Sequence, residues 1–272
     1  MKQLLLNTML GHITLDLRDK FKLVSTGLFK PEMVGTLVND QLASLLITRL
    51  CQPNKVFIDV GAHIGSVISE VHLYDKSIEI IAIEAIPEKV NKLKKKFSYA
   101  EIHECAVGES EDTVSFFINT AQSGYSSLSS AAMEQSTVKE ITVPLKKLDN
   151  IITTTNTVDA IKIDVEGAEL GVLRGGHKLL TTHRPTIMFE SAPINNDDNL
   201  GYTKEALWQY LTEHDYSVLI PNRVAHNDKG LSLDGFLDSH IYPRRTTNYF
   251  AVHKTRRVEI RDYARQILKI KR

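Results

Sequence analysis

Val56-Phe57-Ile58-Asp59-Val60-Gly61-Ala62-His63-Ile64-Gly65-Ser66 is the stretch around which the chain is organised. Most residues from Val56 to Val60 are apolar and β-branched or aromatic, which predicts a strand covered on both faces. The glycines predict a tight turn, and Ser66 to Tyr74 continues as a helix. A strand, a glycine turn and a helix present backbone N–H groups where a ligand can approach closely. The next apolar run, Ile78 to Ile83, ends in Glu84. An acid at the end of the neighbouring parallel strand is placed to accept hydrogen bonds from a ribose diol. Together these features predict a nucleoside-type cofactor site.

Outward from that centre, strands and helices alternate. Asn39 or Asp40 is expected to cap a helix through Leu42, Leu45, Leu46 and Leu50, and Pro87 suits the first turn of another. Further strands are expected at Glu101 to Val107, Thr113 to Ile118 and Ile141 to Leu145. Asp159 to Val165 forms the next, followed by a helix running to about Leu180, and Thr186 to Glu190 forms another. Tyr216 to Ile220 and Asn248 to His253 read as a late antiparallel pair. The pattern predicts an α/β fold: a Rossmann-like, doubly wound, mostly parallel sheet of about seven strands ending in an antiparallel hairpin. Ligands on such sheets bind beyond the carboxyl ends of the strands, where Asp59, Glu84, Asp164 and Glu190 all fall.

Residues 1 to 40 read as an N-terminal extension with strand-like alternation from His12 to Arg18. Residues 41 to 254 are the expected catalytic domain, and 255 to 272 a basic C-terminal tail or helix. Lysine plus arginine balances aspartate plus glutamate at 33 each, which argues against a nucleic-acid partner. Cys51 and Cys105 form no CxxC pair, so neither a disulfide framework nor a cysteine zinc site is expected. Met1 to Leu10 is too short for a spanning helix, so a cytoplasmic protein is the expectation. The basic tail leaves a peripheral contact with an anionic membrane open.

The glycine spacing is Gly61-x-x-x-Gly65, with His63 where a dinucleotide fingerprint needs its middle glycine. A nicotinamide cofactor is therefore a poor fit, and no phosphate-binding lysine follows the turn. An Asp-x-Gly-x-x-x-Gly turn followed by a ribose-binding acid instead resembles S-adenosylmethionine-dependent methyltransferases. The resemblance narrows further. Phe57 to Gly65 resembles the first motif of the FkbM methyltransferase family, in which asparagine commonly stands at the His63 position. Ile83-Glu84-Ala85-Ile86-Pro87 resembles its second motif, and Gly124-Tyr125-Ser126-Ser127-Leu128 its G-x-S-S-L element. Ile161 to Gly175, with Lys162, Asp164, Glu166 and Glu169, resembles its long Lys-Asp-Glu-Gly motif.

The resemblance covers residues 40 to 192 and implies a class I methyltransferase that uses S-adenosylmethionine. It also implies O-methyl transfer to a sugar, glycan, glycolipid or related metabolite. On this reading Asp59, Gly61, Ala62, His63, Gly65, Glu84, Ala85, Ala106 and Val107 hold the cofactor. Asp164, Glu166 and Glu190 are the catalytic candidates, because loss of the acceptor's proton needs a base. Ser126, Ser127 and Lys162 are candidates for contacting the acceptor, with a turn role open for the serines and an acid-paired role for Lys162. Crowded acids also admit a divalent metal, since hard cations prefer oxygen ligands, but they can equally bind sugar hydroxyls, and no metal is favoured. N-methyl transfer and a non-catalytic scaffold remain the alternatives.

Overall fold

The computed structural model describes residues 20–120, 127–128, 138–191 and 202–270. Its centre is a seven-stranded sheet in the order β3-β2-β1-β7-β8-β10-β9. These strands are β1 (Val56–Val60), β2 (Glu79–Glu84), β3 (Glu101–Glu104), β7 (Val158–Ile163), β8 (Thr186–Glu190), β9 (Tyr216–Leu219) and β10 (Asn248–His253). The first five run parallel, and β10 lies antiparallel between β8 and β9. The expected doubly wound sheet and its closing antiparallel pair are therefore present.

Every residue of β1 and β7 is buried, because helices cover both faces. Val56, Ile58 and Val60 enter one core with Leu170, Leu173 and Leu207. Phe57 enters the other with Leu46, Ile47 and Ile68. Each such aliphatic or aromatic side chain contributes about 1.5–3 kcal/mol by leaving water. The helices on the second face are α2 (Val34–Leu50), α3 (Ser66–Tyr74), α4 (Pro87–Lys96) and α10 (Arg257–Ile267). On the first face lie α5 (Leu148–Ile151), α6 (Glu169–Gly175), α7 (His177–His183), α8 (Lys204–Glu213) and α9 (Leu233–Asp238).

Several expectations need correction. The described part of the N-terminal extension is helical: α1 occupies residues 20–29, while the stretch with strand-like alternation, His12 to Arg18, lies outside the described residues. Asn39 and Asp40 do not cap α2 but sit inside it, where they tie down the distant loop before β10. Asn39 Nδ2 donates to Arg245 O at 2.9 Å, and Asp40 Oδ1 accepts from Thr247 N at 3.0 Å. The helix expected to reach Leu180 breaks at Gly176 into α6 and α7, as paired glycines weaken helical propagation.

The middle strands also leave the main sheet. After β3 the chain turns at Cys105, and β4 (Ala106–Val107) joins β5 (Asp112–Asn119) and β6 (Val138–Lys146) in a separate three-stranded sheet. β5 and β6 mix exposed and covered positions, so they suit a sheet with one wet face. The C-terminal segment is equally integrated. α10 buries Ile260 and Ala264 completely, and Arg256 just before it binds Asp159 at 2.7 Å. No helix among the described residues is long and apolar enough to cross a membrane.

Candidate functional site

The carboxyl ends of β1, β2, β7 and β8 converge on one cavity of ≈ 390 Å³. The turn after β1 forms its floor. Gly61 N and Ala62 N both donate to Ile83 O, at 2.9 and 3.0 Å, which clamps the turn onto the end of β2. Gly61, His63 and Gly65 all have positive φ, at 81°, 51° and 76°. Both glycines are required by contacts within the protein. A Cβ on Gly61 would fall 1.9 Å from Asp164 O, and one on Gly65 would fall 2.2 Å from the Phe97 ring. The glycine spacing thus encodes the approach of β7 and α4 to the turn.

Glu84 is buried at the end of β2 and its carboxylate is fixed from both sides. His63 N donates to Oε2 at 2.8 Å, and Ile86 N donates to Oε1 at 3.0 Å. One N–H on each oxygen leaves further lone pairs for a ligand. Beside it, Ala85, Ile86, Ala106, Val107, Phe116 and Leu128 give an apolar wall. The small sheet supplies much of that wall: Ala85, Ile86, Ala106, Phe116 and Val143 form their own cluster.

The opposite side is acidic. Asp59 and Lys162 are in register across β1 and β7, and Asp164 follows Lys162 by two residues on the same side. Lys162 Nζ lies 3.2 Å from Asp59 Oδ1, 3.1 Å from Asp164 Oδ2 and 3.3 Å from Gly61 O. Burial works against the Lys162 charge, but Asp164 and Asp59 outweigh it and hold the pKa above its ordinary value. Burial raises the pKa of Asp59 despite the neighbouring ammonium. Asp59 Oδ2 accepts no hydrogen bond among the described residues.

Asp164, Glu166 and Glu190 bring carboxylate oxygens within 4.8 Å of one another, close enough for one cation to bridge them. With no cation between them, Asp164 and Glu190 can relieve their repulsion by a direct hydrogen bond, which requires one shared proton. Of the two, Glu190 is the group whose affinity for a proton is raised. Burial and the Asp164 carboxylate push Glu190 far above the usual carboxylate range. Burial also opposes the Asp164 charge, but Lys162 and the Glu190 hydrogen bond hold its pKa below the ordinary value.

Glu166 has φ 54°, and its pKa is raised to about 7 by burial and then by Asp164. Glu169, fully inside, accepts from Gly167 N at 3.2 Å and Val165 N at 3.4 Å, and so shapes the bend that carries Glu166. Ser127 Oγ donates to Glu166 O at 2.9 Å and pairs its backbone with Phe117, a turn role. Gly124, Tyr125 and Ser126 lie outside the described residues. The structure adds Lys89 and Phe116 to the residues singled out from sequence, and it places Leu128 of the Gly124 to Leu128 element in the cavity wall. Lys89 sits in the first turn of α4, right after the Glu84 motif, which was the available signal. Phe116 reaches the cavity through the small sheet, which strand patterning did not separate from the main one.

A family model described as the methyltransferase FkbM domain matches residues 59–218. No protein of curated function matches the sequence. Among solved structures, the chain is similar to methyltransferase FkbM from Methylobacillus flagellatus, at 18% identity and TM-score 0.44. That match covers 74% of this chain but only 44% of the other protein, so the chain spans less than half its length. The plantazolicin methyltransferase BpumL, solved with S-adenosylhomocysteine (SAH) and a pentazolic desmethylPZN analog, is similar at 13% identity and TM-score 0.42, covering 86% and 89% of the two chains. Precorrin-6y C5,15-methyltransferase from Geobacter metallireducens follows at 15% identity and TM-score 0.37, covering 65% and 71%.

Proposed function

The chain belongs to the FkbM family of methyltransferases, its methyl donor is S-adenosylmethionine, and we propose that it methylates a hydroxyl of a sugar, glycan, glycolipid or related metabolite. The cavity suits this donor on chemical grounds. Asp59, Glu84, Asp164, Glu166 and Glu190 line it, against Lys89 and Lys162. The Glu84 and Asp164 carboxylates attract the donor's ammonium and sulfonium and repel a pyrophosphate. The unsatisfied Asp59 Oδ2 adds an acceptor on the same wall.

In this reading Glu84 holds the ribose diol, because its carboxylate is already oriented by two backbone N–H groups. Ala85, Ile86, Ala106, Val107 and Phe116 pack the flat base. Gly61, Ala62 and His63 border the amino-acid end of the donor. S-adenosylmethionine supplies a methyl group on positively charged sulfur, an electrophile that needs no activation by the protein.

The protein must still position the acceptor oxygen and take its proton. Asp164 is the base in this account. Lys162 keeps it ionised, and Glu190, which retains a proton, donates to it and fixes its orientation. Glu166, with a pKa of about 7, binds a neighbouring acceptor hydroxyl either as donor or as acceptor. The observation that carries the proposal is the convergence of Asp164, Glu166 and Glu190 at the ends of adjacent strands, their carboxylate oxygens within 4.8 Å of one another and Asp164 3.1 Å from Lys162 Nζ. Calorimetry with S-adenosylhomocysteine tests its first requirement. The wild type should bind, and Glu84→Ala should bind about tenfold to a hundredfold more weakly, the loss of one or two charge-assisted hydrogen bonds. No binding by the wild type would overturn the proposal.

A further inference from the structure

The α1 helix carries an apolar stripe that the described residues leave uncovered. Phe21, Val24 and Leu28 recur at i, i+3 and i+7, which aligns them on one side of the helix. They are 75%, 61% and 73% exposed, and Phe29 beside them is 83% exposed. The neighbouring α2 does the opposite, burying Leu46, Ile47 and Leu50 almost completely. Lys20, Lys22 and Lys30 flank the stripe, and no acid occurs between residues 20 and 31.

A second exposed apolar pair stands close by. Ile241 and Tyr242 are each 63% exposed, and the Tyr242 hydroxyl donates to Glu32, just beyond the end of α1. This loop lies at the cavity end of the sheet. Ser191, which follows Glu190, donates from its N–H to Thr247 O at 2.9 Å, and Asn248 faces Glu190 across the β8–β10 pair.

We propose that α1, with the Ile241–Tyr242 loop, docks the protein onto an anionic lipid surface. An apolar stripe flanked by lysines matches the boundary between acyl chains and negative headgroups, where apolar burial and charge attraction add. A second copy of the chain is a poorer occupant. A symmetric contact through this stripe would bring two lysine-rich, acid-free helices against each other. The docking face shares its end of the molecule with the cavity, so a hydroxyl displayed at the lipid surface would come within reach. That corollary rests on the hydroxyl-transfer reading; the docking itself does not.

Flotation of the full chain with vesicles tests the proposal without any methyl donor, so its failure leaves the methyl-transfer reading standing. The wild type should float with phosphatidylcholine–phosphatidylglycerol vesicles and stay behind with phosphatidylcholine alone, and high salt should release it. Phe21→Ser with Leu28→Ser should lower partitioning about tenfold or more, as apolar burial is lost. Lys22→Glu should lower it about fivefold or more. These side chains are exposed, so circular dichroism should show both variants folded as the wild type. Absence of flotation, equal flotation with neutral vesicles, or full retention by the double serine variant would overturn the proposal. So would a wild-type dimer in sedimentation velocity that the same substitutions dissociate.

Discussion

The ammonium of Lys162 stands 3.1 Å from Oδ2 of Asp164, and the same ammonium reaches Asp59 in the adjoining strand. One buried cation therefore joins an acid on the floor of the cavity to the acid proposed as base. Removing one partner of a buried ion pair leaves a charge without compensation, which costs about 3–5 kcal/mol when desolvation is complete. The Asp164 side chain is 35% exposed, so water softens its share.

Lys162→Met should therefore destabilise the protein by about 3 kcal/mol at pH 8. The sign with pH follows from Asp164. Its folded pKa is depressed, so the pairing contributes stability above the unfolded pKa, and that contribution is lost as pH falls through the folded value. The gap between wild type and variant should narrow in acid. Urea titrations at pH 8 and at about pH 2.5, below the ordinary aspartate value of 3.8, measure it, and a gap independent of pH would refute the pairing.

The glycine turn makes a separate prediction. A methyl group on Gly61 meets the backbone carbonyl of Asp164, which cannot swing aside, whereas one on Gly65 meets the Phe97 and Leu93 side chains. Both positions also have positive φ, which costs a non-glycine residue about 1–2 kcal/mol. Gly61→Ala should therefore cost more than Gly65→Ala, by about 1–3 kcal/mol of overpacking. Thermal unfolding of the two variants ranks them.

Glu169 predicts the pH dependence of stability. Burial raises its folded pKa to about 7, above the ordinary 4.5. The folded state then holds more protons than the unfolded state between these values, so stability falls as pH rises from 4.5 to 7. The magnitude is about 3 kcal/mol for a shift of this size. Glu169→Gln, whose amide oxygen can still accept from Gly167 N and Val165 N, should remove that part of the slope. Denaturation at pH 5 and pH 8 reads it, and an unchanged slope would exclude Glu169 as its source.

Much of the fold was legible because its strands are covered on both sides and so are apolar throughout, as Val56 to Val60 and Ile80 to Ile83 show. Asp59, Glu84, Asp164 and Glu190 interrupt or end such runs, which placed them at the ends where the structure has them. The small sheet was not legible in its position. Alternation in Thr113 to Ile118 announces a strand with one wet face but not its partner, and the partner decides whether Phe116 reaches the cavity. Nor could spacing reveal that Gly61 is required by Asp164, or that Asp40 anchors Thr247 across the chain. Both depend on contacts between distant segments. The raised proton affinity of Glu190 is of the same kind, since it follows from burial beside Asp164.

Transfer of a labelled methyl group tests the central claim most directly. Purified protein is incubated with methyl-labelled S-adenosylmethionine and panels of sugars, nucleotide sugars, glycolipids and matching amines, and the labelled product is identified by mass spectrometry. The account predicts label on oxygen of a hydroxylated acceptor, unchanged by a chelator. It also predicts a rate lowered about 10²–10⁴-fold in Asp164→Asn, the range expected for loss of a general base. Label appearing only on nitrogen, or full activity in Asp164→Asn, would contradict it.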